Sequence, residues 1–366
     1  MIIILWNVVT VVIISLILTI LLILAEYFFA NYGDCKITIN NKKEIIVKGG
    51  GNLLSALAEN KVFIPSACGG RGSCGFCKVK VLDGGGPLLP TEKPYLNDSE
   101  IKDNVRLSCQ IKIRQDISIN IPEELFNIKK FKAKIIEIIN YTYDIKGVTF
   151  KLIEPDYIEF KAGQYMQLEA PGYAKSKQSV SRAYSISSIP EQHNTIQLII
   201  RKVPEGICTT WVHEYMKEGD IVNLTGPFGD FYIRDTDADM IFIAGGSGKA
   251  PIKSMLEYLD NNKSKRKMTY FFGARTKKDL YLTEYMQEFE KSLEDFTYVP
   301  ILSAPEDNDD WSGKKGYIPT YIKDYLRDSA NTEAYLCGSP GMIAAVEKEL
   351  IALKIPKEKI YYDSFG

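Results

Sequence analysis

Histidine is nearly missing from this chain: 366 residues include only His193 and His213. That scarcity excludes multi-histidine metal sites and histidine-rich catalytic centres, and with them many hydrolases. Excess charge of either sign is missing too, since 45 Lys and Arg face 46 Asp and Glu, for a net charge of −1. A nucleic-acid surface is not expected, and no basic patch interleaved with aromatics argues otherwise. Internal repeats and low-complexity tracts are absent. The cysteines do not pair off: there are seven, and Cys35, Cys208 and Cys337 stand alone. An odd count around one tight cluster argues against a disulfide framework and favours metal or redox chemistry in a reducing compartment.

Charged side chains are wholly absent from residues 1–25, "MIIILWNVVTVVIISLILTILLILA". About 20 helical residues cross the hydrocarbon core of a bilayer. The run therefore predicts a membrane anchor over residues 1–26, with a buried core helix as the alternative. No Lys or Arg precedes it, unlike a signal peptide, and "AEYFFANYG" follows with interfacial-type aromatics. Lys36, Lys42 and Lys43 are too few to orient it.

Three segments follow. Residues 34–128 read as short strands ("CKITIN", "EIIVK", "CKVKVL", "VRLSCQIKI", "DISINI") with one helix, "NLLSALAEN". Residues 129–236 carry many short strands separated by Pro, Gly and Asx turns, which suggests a barrel. From 237 to 366 strands and helices alternate, the rhythm of a doubly wound parallel sheet.

The chemistry concentrates in "SACGGRGSCGFCKVKV". Cys68, Cys74 and Cys77 lie in a glycine-rich loop, and Cys109 follows after 31 residues. Structural zinc sites usually present cysteines in two sequence pairs. The spacing here comes close to the three-plus-one pattern of plant-type [2Fe–2S] centres, with one extra residue in the first gap. Glycine lets a loop approach clustered sulfur closely and aim amides at it. An iron–sulfur centre is the stronger reading and zinc the rival.

"SRAYSISS" places Arg182 as a cationic fork for a pyrophosphate. Tyr184 is suited to lie on an isoalloxazine ring, and Ser185 to hydrogen-bond near its N5. "EGICTTWV" brings Gly206, Thr209 and Thr210 to a helix start that favours phosphate. The plain alternative is a strand and a helix cap. "FIAGGSGKAP" sits between strand and helix, where a dinucleotide loop belongs, and Ala250 excludes a Walker A loop. "YLCGSPGM" places Cys337 and Gly338 at a second strand end, facing a nicotinamide. A lone buried cysteine serving only as a small apolar residue is the alternative.

These motifs together resemble a ferredoxin-fused member of the ferredoxin–NADP reductase superfamily. With the anchor, the chain most resembles the F subunit of the sodium-pumping NADH:quinone oxidoreductases. "SACGGRGSCGFCKVKV", "RAYS", "GPFGDF", "KRKMTYFFGAR", "DDWSGKKGYI" and the terminal "DSFG" carry the likeness over nearly the whole length. The resemblance implies a transmembrane helix, a β-grasp [2Fe–2S] ferredoxin domain, an antiparallel β-barrel FAD domain and a parallel-sheet NAD domain. It implies Cys68, Cys74, Cys77 and Cys109 as cluster ligands, and Arg182, Tyr184, Ser185 and Thr209 at FAD. Gly245, Gly246, Gly248 and Cys337 fall at the nicotinamide dinucleotide, with Phe365 shielding the flavin. Ser185, Cys337 and Phe365 are the expected catalytic set.

The implied activity is hydride transfer from NADH to FAD, then single electrons through the cluster to membrane subunits of a quinone reductase. The implied location is the inner or plasma membrane, with the soluble domains cytoplasmic. Lys249 departs from the apolar residue, commonly Met, that the family has in its glycine loop, and it suggests a cation beside the dinucleotide phosphates. "KVPEGICTT" lacks the family's usual insertion. A free-standing anchored NAD(P)H reductase feeding an oxygenase or desaturase is the alternative. A non-enzymatic electron carrier is a further one, against which the intact "RAYS" and "CGSPGM" argue.

Overall fold

The computed structural model describes residues 2–29, 32–66, 68–307 and 309–364. The chain divides into two compact units, residues 1–127 and 128–366.

The first unit opens with α1 (Ile2–Phe29), an uninterrupted helix of 28 residues. Its described side chains are Trp6, Asn7 and those of residues 10–21, and all are exposed. Among the described residues no helix is long and apolar enough to cross a membrane.

Next come β1 (Asp34–Ile39), β2 (Lys43–Lys48), α2 (Leu53–Glu59), β3 (Lys78–Asp83), α3 (Asp98–Lys102), β4 (Val105–Leu107) and β5 (Ile117–Asn120). They form a mixed five-stranded sheet in the order β2-β1-β5-β3-β4, in which β1 and β5 run parallel. Alternation turns Cys35, Ile37 and Ile39 of β1 inward against Leu53 and Leu57 of α2. Asn52 caps α2 by accepting the Ser55 N–H at 2.8 Å.

The long strand expected over "VRLSCQIKI" is cut short. β4 ends at Leu107, and the chain turns there, with the Gln110 N–H donating to the Leu107 carbonyl at 2.8 Å. A buried ion pair fixes the bend. Glu92, in the β3–α3 connection, accepts from Arg106 Nη2 at 2.6 Å, and from the amides of Leu107 and Leu89, each at 2.9 Å. Arg106 Nη1 donates to the Gly85 and Gly86 carbonyls. The two side chains are 3% and 0% exposed, and each guanidinium nitrogen and both carboxylate oxygens are engaged.

The second unit begins with β6 (Lys129–Asn140), β7 (Ile145–Glu154), β8 (Tyr165–Ala170), β9 (Val180–Ser185), β10 (Thr195–Arg201), α4 (Ile207–Glu214) and β11 (Ile221–Phe228). The antiparallel order is β10-β7-β6-β11-β8-β9, and an Ile186–Leu198 bridge joins the two edges into a barrel. Phe131, Phe150, Leu168 and Leu224 fill it, and α4 closes it with Trp211 and Val212.

Beyond it lie β12 (Asp239–Gly245), α5 (Lys249–Asn261), β13 (Met268–Ala274), α6 (Thr283–Ser292), β14 (Phe296–Leu302), β15 (Lys314–Lys315), α7 (Pro319–Tyr325), β16 (Thr332–Gly338), α8 (Pro340–Ala352) and β17 (Ile360–Ser364). The sheet order is β15-β14-β13-β12-β16-β17, and its neighbouring strands pair in parallel. One face buries Met255 and Leu256 of α5 with Met286 and Phe289 of α6. The other buries Ile322 of α7 with Ile343, Val346 and Leu350 of α8. The order reverses at β12, so the carboxyl end of that strand opens a crevice where ligands bind in such sheets.

Candidate functional site

The cysteine loop is shaped by residues with positive φ. Gly72 and Gly75 have φ of +76° and +72°. A Cβ at Gly72 would collide with the Gln110 side chain, and one at Gly75 with the Tyr95 ring at 2.9 Å. Only glycine therefore allows these two walls to close on the loop. Below it, buried Ser66 accepts the Gly70 N–H at 2.8 Å.

The fold gathers Cys68, Cys74, Cys77 and Cys109 as two hydrogen-bonded thiol pairs, Cys68 with Cys74 and Cys77 with Cys109; Cys68 also acts on Cys109 through its charge. Burial pushes the Cys68 thiol up. Hydrogen bonds from the Ser73 amide, the Cys74 thiol and the Arg71 amide outweigh it and hold Cys68 at about 6. The Cys77 thiol brings Cys109 down to about 7 against the effect of burial, helped by Gln110 and the Gly72 amide. Burial pushes Cys74 up, and the shared Cys109 proton pushes Cys77 up.

Each pair thus holds one thiol poised to ionise, with backbone amides aimed at sulfur. Among the described residues, no group of three or more His, Cys, Asp or Glu could hold a single metal ion. Two thiol pairs suit a centre in which four thiolates are shared between two irons.

β9 presents the barrel residues. Arg182 and Tyr184 share one face by alternation, and Ser185 takes the other. Arg182 Nη1 donates to the Ser181 carbonyl at 2.7 Å. The Tyr184 ring packs on the barrel core, and its buried hydroxyl lies against the Cys208 thiol. Burial pushes that phenol well up.

Gly206 begins α4 as expected, yet Thr209 turns inward. Its hydroxyl accepts the Val203 N–H at 3.2 Å and fastens its own loop. Thr210 is buried beside Tyr173.

Gly245, Gly246 and Gly248 form the turn from β12 into α5. A Cβ at Gly248 would stand 2.2 Å from the Cys337 carbonyl oxygen, and one at Gly338 would stand 2.5 Å from Met342 Cε. A cavity of about 570 Å³ opens over this turn, lined by Gly245, Gly246, Arg275, Ser339 and Met342, with Arg201 from the barrel. Tyr281 secures the loop by donating its hydroxyl to the Gly246 carbonyl at 2.8 Å.

Lys249 does not face this cavity. Its fully buried side chain points into the core, where Nζ donates to the Tyr281 carbonyl at 2.6 Å and lies 3.8 Å from the Phe272 ring centroid. Burial pushes this amine well below its ordinary range. The long stem fills the space an apolar residue would take, and three aromatic rings replace a carboxylate as its surroundings.

Barrel and parallel sheet meet at Ser185, whose hydroxyl donates to Asp363 Oδ2 at 3.3 Å. Asp363 pairs across the sheet with Cys337, which is fully buried, its thiol pushed well up by burial and by the Asp363 charge. Phe365 lies outside the described residues. Sequence reasoning missed Asp363, although it stands inside the terminal "DSFG". Burial pushes its carboxyl up to about 6; Ser185 opposes the shift and the Asp230 charge adds to it.

A carboxyl raised by folding adds stability that is complete below its ordinary value of 3.8 and is lost as the pH climbs through about 6. Wild-type unfolding temperature is therefore expected to fall between about pH 4 and 7 relative to Asp363→Asn. Parallel curves in a thermal-unfolding series would remove this role.

Cys35 is a core thiol beneath β1, pushed up by burial and by Asp116 and Asp34.

Comparison with known proteins shows three domains along the chain. Residues 37–114 match the family model for a 2Fe-2S iron-sulfur cluster binding domain. Residues 132–233 match an oxidoreductase FAD-binding domain, and residues 242–348 an oxidoreductase NAD-binding domain. The chain thus has the domains for a [2Fe–2S] cluster, FAD and NADH.

The F subunit of the Na(+)-translocating NADH-quinone reductase of Neisseria meningitidis (serogroup C, strain FAM18) is 35% identical over 97% of each chain. The protein of the same name in Serratia proteamaculans is 35% identical over 96% of this chain and 97% of its own. In Pseudomonas aeruginosa it is 35% identical over 94% of each.

Among solved structures, the Amycolatopsis cytochrome P450 reductase GcoB shares the fold with a TM-score of 0.74, 24% identity, and 90% of this chain and 98% of its own covered. A ferredoxin reductase of carbazole 1,9a-dioxygenase does so with a TM-score of 0.70, 24% identity, and 91% and 99% covered.

Proposed function

The chain belongs to the F-subunit family of the Na(+)-translocating NADH-quinone reductases, and we propose that it is the electron-input component of such a complex. In this reading it takes a hydride from NADH at residues 128–366 and passes electrons singly through Cys68, Cys74, Cys77 and Cys109 to membrane-bound partners. We read residues 34–128, 129–236 and 237–366 as its iron–sulfur, flavin and nicotinamide domains.

The observation that carries the reading is the meeting of Ser185, Cys337 and Asp363 beside the glycine loop, where barrel and parallel sheet join. FAD, when bound, supplies the conversion of a two-electron donor into single electrons. The chain's own residues orient and insulate. β9 offers Arg182 to a pyrophosphate and Tyr184 as a face for a ring. Ser185, tied to Asp363, holds a hydroxyl beside the place where hydride arrives. Cys337 and the glycine turn leave room for a nicotinamide, and no strong base is called for, in keeping with two histidines.

α1 serves in this reading as a single-pass anchor with the remaining domains cytoplasmic. Its 28 helical residues and the uncharged stretch 1–25 support that use, since about 20 apolar residues suffice to cross. One helix without an intramembrane charge offers no ion path, so sodium movement and quinone reduction fall to partner subunits.

Fractionation of cells producing the full chain, or the chain without residues 1–26, tests the assignment. The full chain is expected to stay with membranes through a high-salt wash and to co-purify with other membrane subunits. The shortened chain is expected in the supernatant with its NADH:ferricyanide activity intact. A full chain that is released by salt, or that purifies from membranes alone, would contradict the role.

A further inference from the structure

Ser108 is completely buried between Leu107 and Cys109, and its hydroxyl, which faces the Cys77 sulfur, makes no hydrogen bond of ordinary geometry there or elsewhere among the described residues. Its backbone is fully engaged: the N–H donates to the Cys77 carbonyl at 2.8 Å, and the carbonyl accepts the Leu54 N–H at 3.1 Å. Those two bonds, with the turn locked by Glu92 and Arg106, fix the backbone from which the side chain projects. The group it faces is the Cys77 sulfur.

A buried hydroxyl without a partner costs stability, and alanine would fill the same place more cheaply. Ser66, the comparable buried serine of the loop, has a local task, because it accepts the Gly70 amide. Ser108 has none until the sulfur before it carries charge.

We propose that the Ser108 hydroxyl donates a hydrogen bond to the Cys77 sulfur when that sulfur ligates the cluster, and so raises the cluster's reduction potential. This rests on the iron–sulfur reading of the four cysteines. Hydrogen bonds to ligating sulfur are among the levers that set the potential of such centres. The direction follows from charge. Reduction adds an electron to the cluster, negative charge on sulfur grows, and a donor stabilises the reduced form more than the oxidised one. Ser108 is then a positioning residue for electron exit, making transfer from the flavin side more favourable without touching a substrate.

An EPR-monitored reductive titration of the full chain tests this, alongside iron and sulfide content, for wild type, Ser108→Ala and Ser108→Thr. Ser108→Ala is expected to bind iron and sulfide as wild type does, with the ratio of reduced to oxidised cluster about tenfold lower at a given ambient potential. For one electron that is a downward shift of about 59 mV. Ser108→Thr, which keeps the hydroxyl, is expected to restore most of the difference.

An unchanged potential in Ser108→Ala overturns the proposal while leaving the cluster assignment standing. So does loss of the cluster from Ser108→Ala, which would make the hydroxyl structural. Wild-type protein without iron and sulfide would instead remove the assignment on which the proposal rests.

Discussion

Cys74→Ala is expected to abolish the iron–sulfur absorbance and EPR signal while NADH:ferricyanide turnover stays within about twofold of wild type. The loss follows from the pairing of the thiols. Cys74 shares a hydrogen bond with Cys68, and its removal leaves one pair and a single sulfur where four thiolates are needed. Retention follows from the division of the chain. The core around the cysteine loop is built from residues between Cys35 and Ile121, whereas the barrel and parallel-sheet cores draw only on residues from Phe131 onward. Ser185, Cys337, Asp363 and the glycine turn belong to the second unit. Loss of flavin reduction along with the cluster would show that the two sites do not operate in the proposed order.

Arg106→Ala has the largest expected effect on stability. It leaves the Glu92 carboxylate fully buried, with only the Leu107 and Leu89 amides to hold it. Unpairing one partner of such a bridge costs about 3–5 kcal/mol. The Gly85 and Gly86 carbonyls lose their donor at the same time. Replacing both partners together, Arg106→Met with Glu92→Leu, is expected to cost much less than Arg106→Ala, because no isolated charge remains. Urea unfolding followed by bleaching of the cluster is expected to place the single variant's midpoint well below wild type. Flavin fluorescence is expected to report an unchanged second transition. Equal midpoints for wild type and Arg106→Ala would mean that the pair does not hold the bend before Cys109.

What sequence reasoning could and could not reach divides along the range of the interactions. The cysteine loop, "SRAYS" and "FIAGGSGKAP" are local patterns whose glycines and spacing carry their own geometry, and the parallel sheet follows from strand–helix rhythm. The Glu92–Arg106 bridge has no such signature. Glu92 sits in a Gly/Pro-rich connection without periodicity, and nothing nearby announces a partner. For the same reason "VRLSCQIKI" looked like one strand: its alternation continues through Cys109, but Glu92 and the Leu107–Gln110 turn end the ladder early. Lys249 misled by its address. It stands in a glycine loop, yet its backbone begins α5 and its side chain enters the core, a choice made by Phe272, Tyr281 and Tyr298 arriving from other elements. Asp363 stayed hidden because a carboxylate near a chain end looks like surface until β17 carries it beside Cys337 and Ser185.

The order of electron flow is tested most directly by anaerobic rapid mixing of the full chain with NADH, recording flavin absorbance and freeze-quenched cluster EPR in the same time course. Flavin bleaching ahead of the cluster signal is the expected result, with the first phase unchanged and the second missing in Cys74→Ala. Reduction of the cluster before the flavin, or in a protein stripped of flavin, would contradict it.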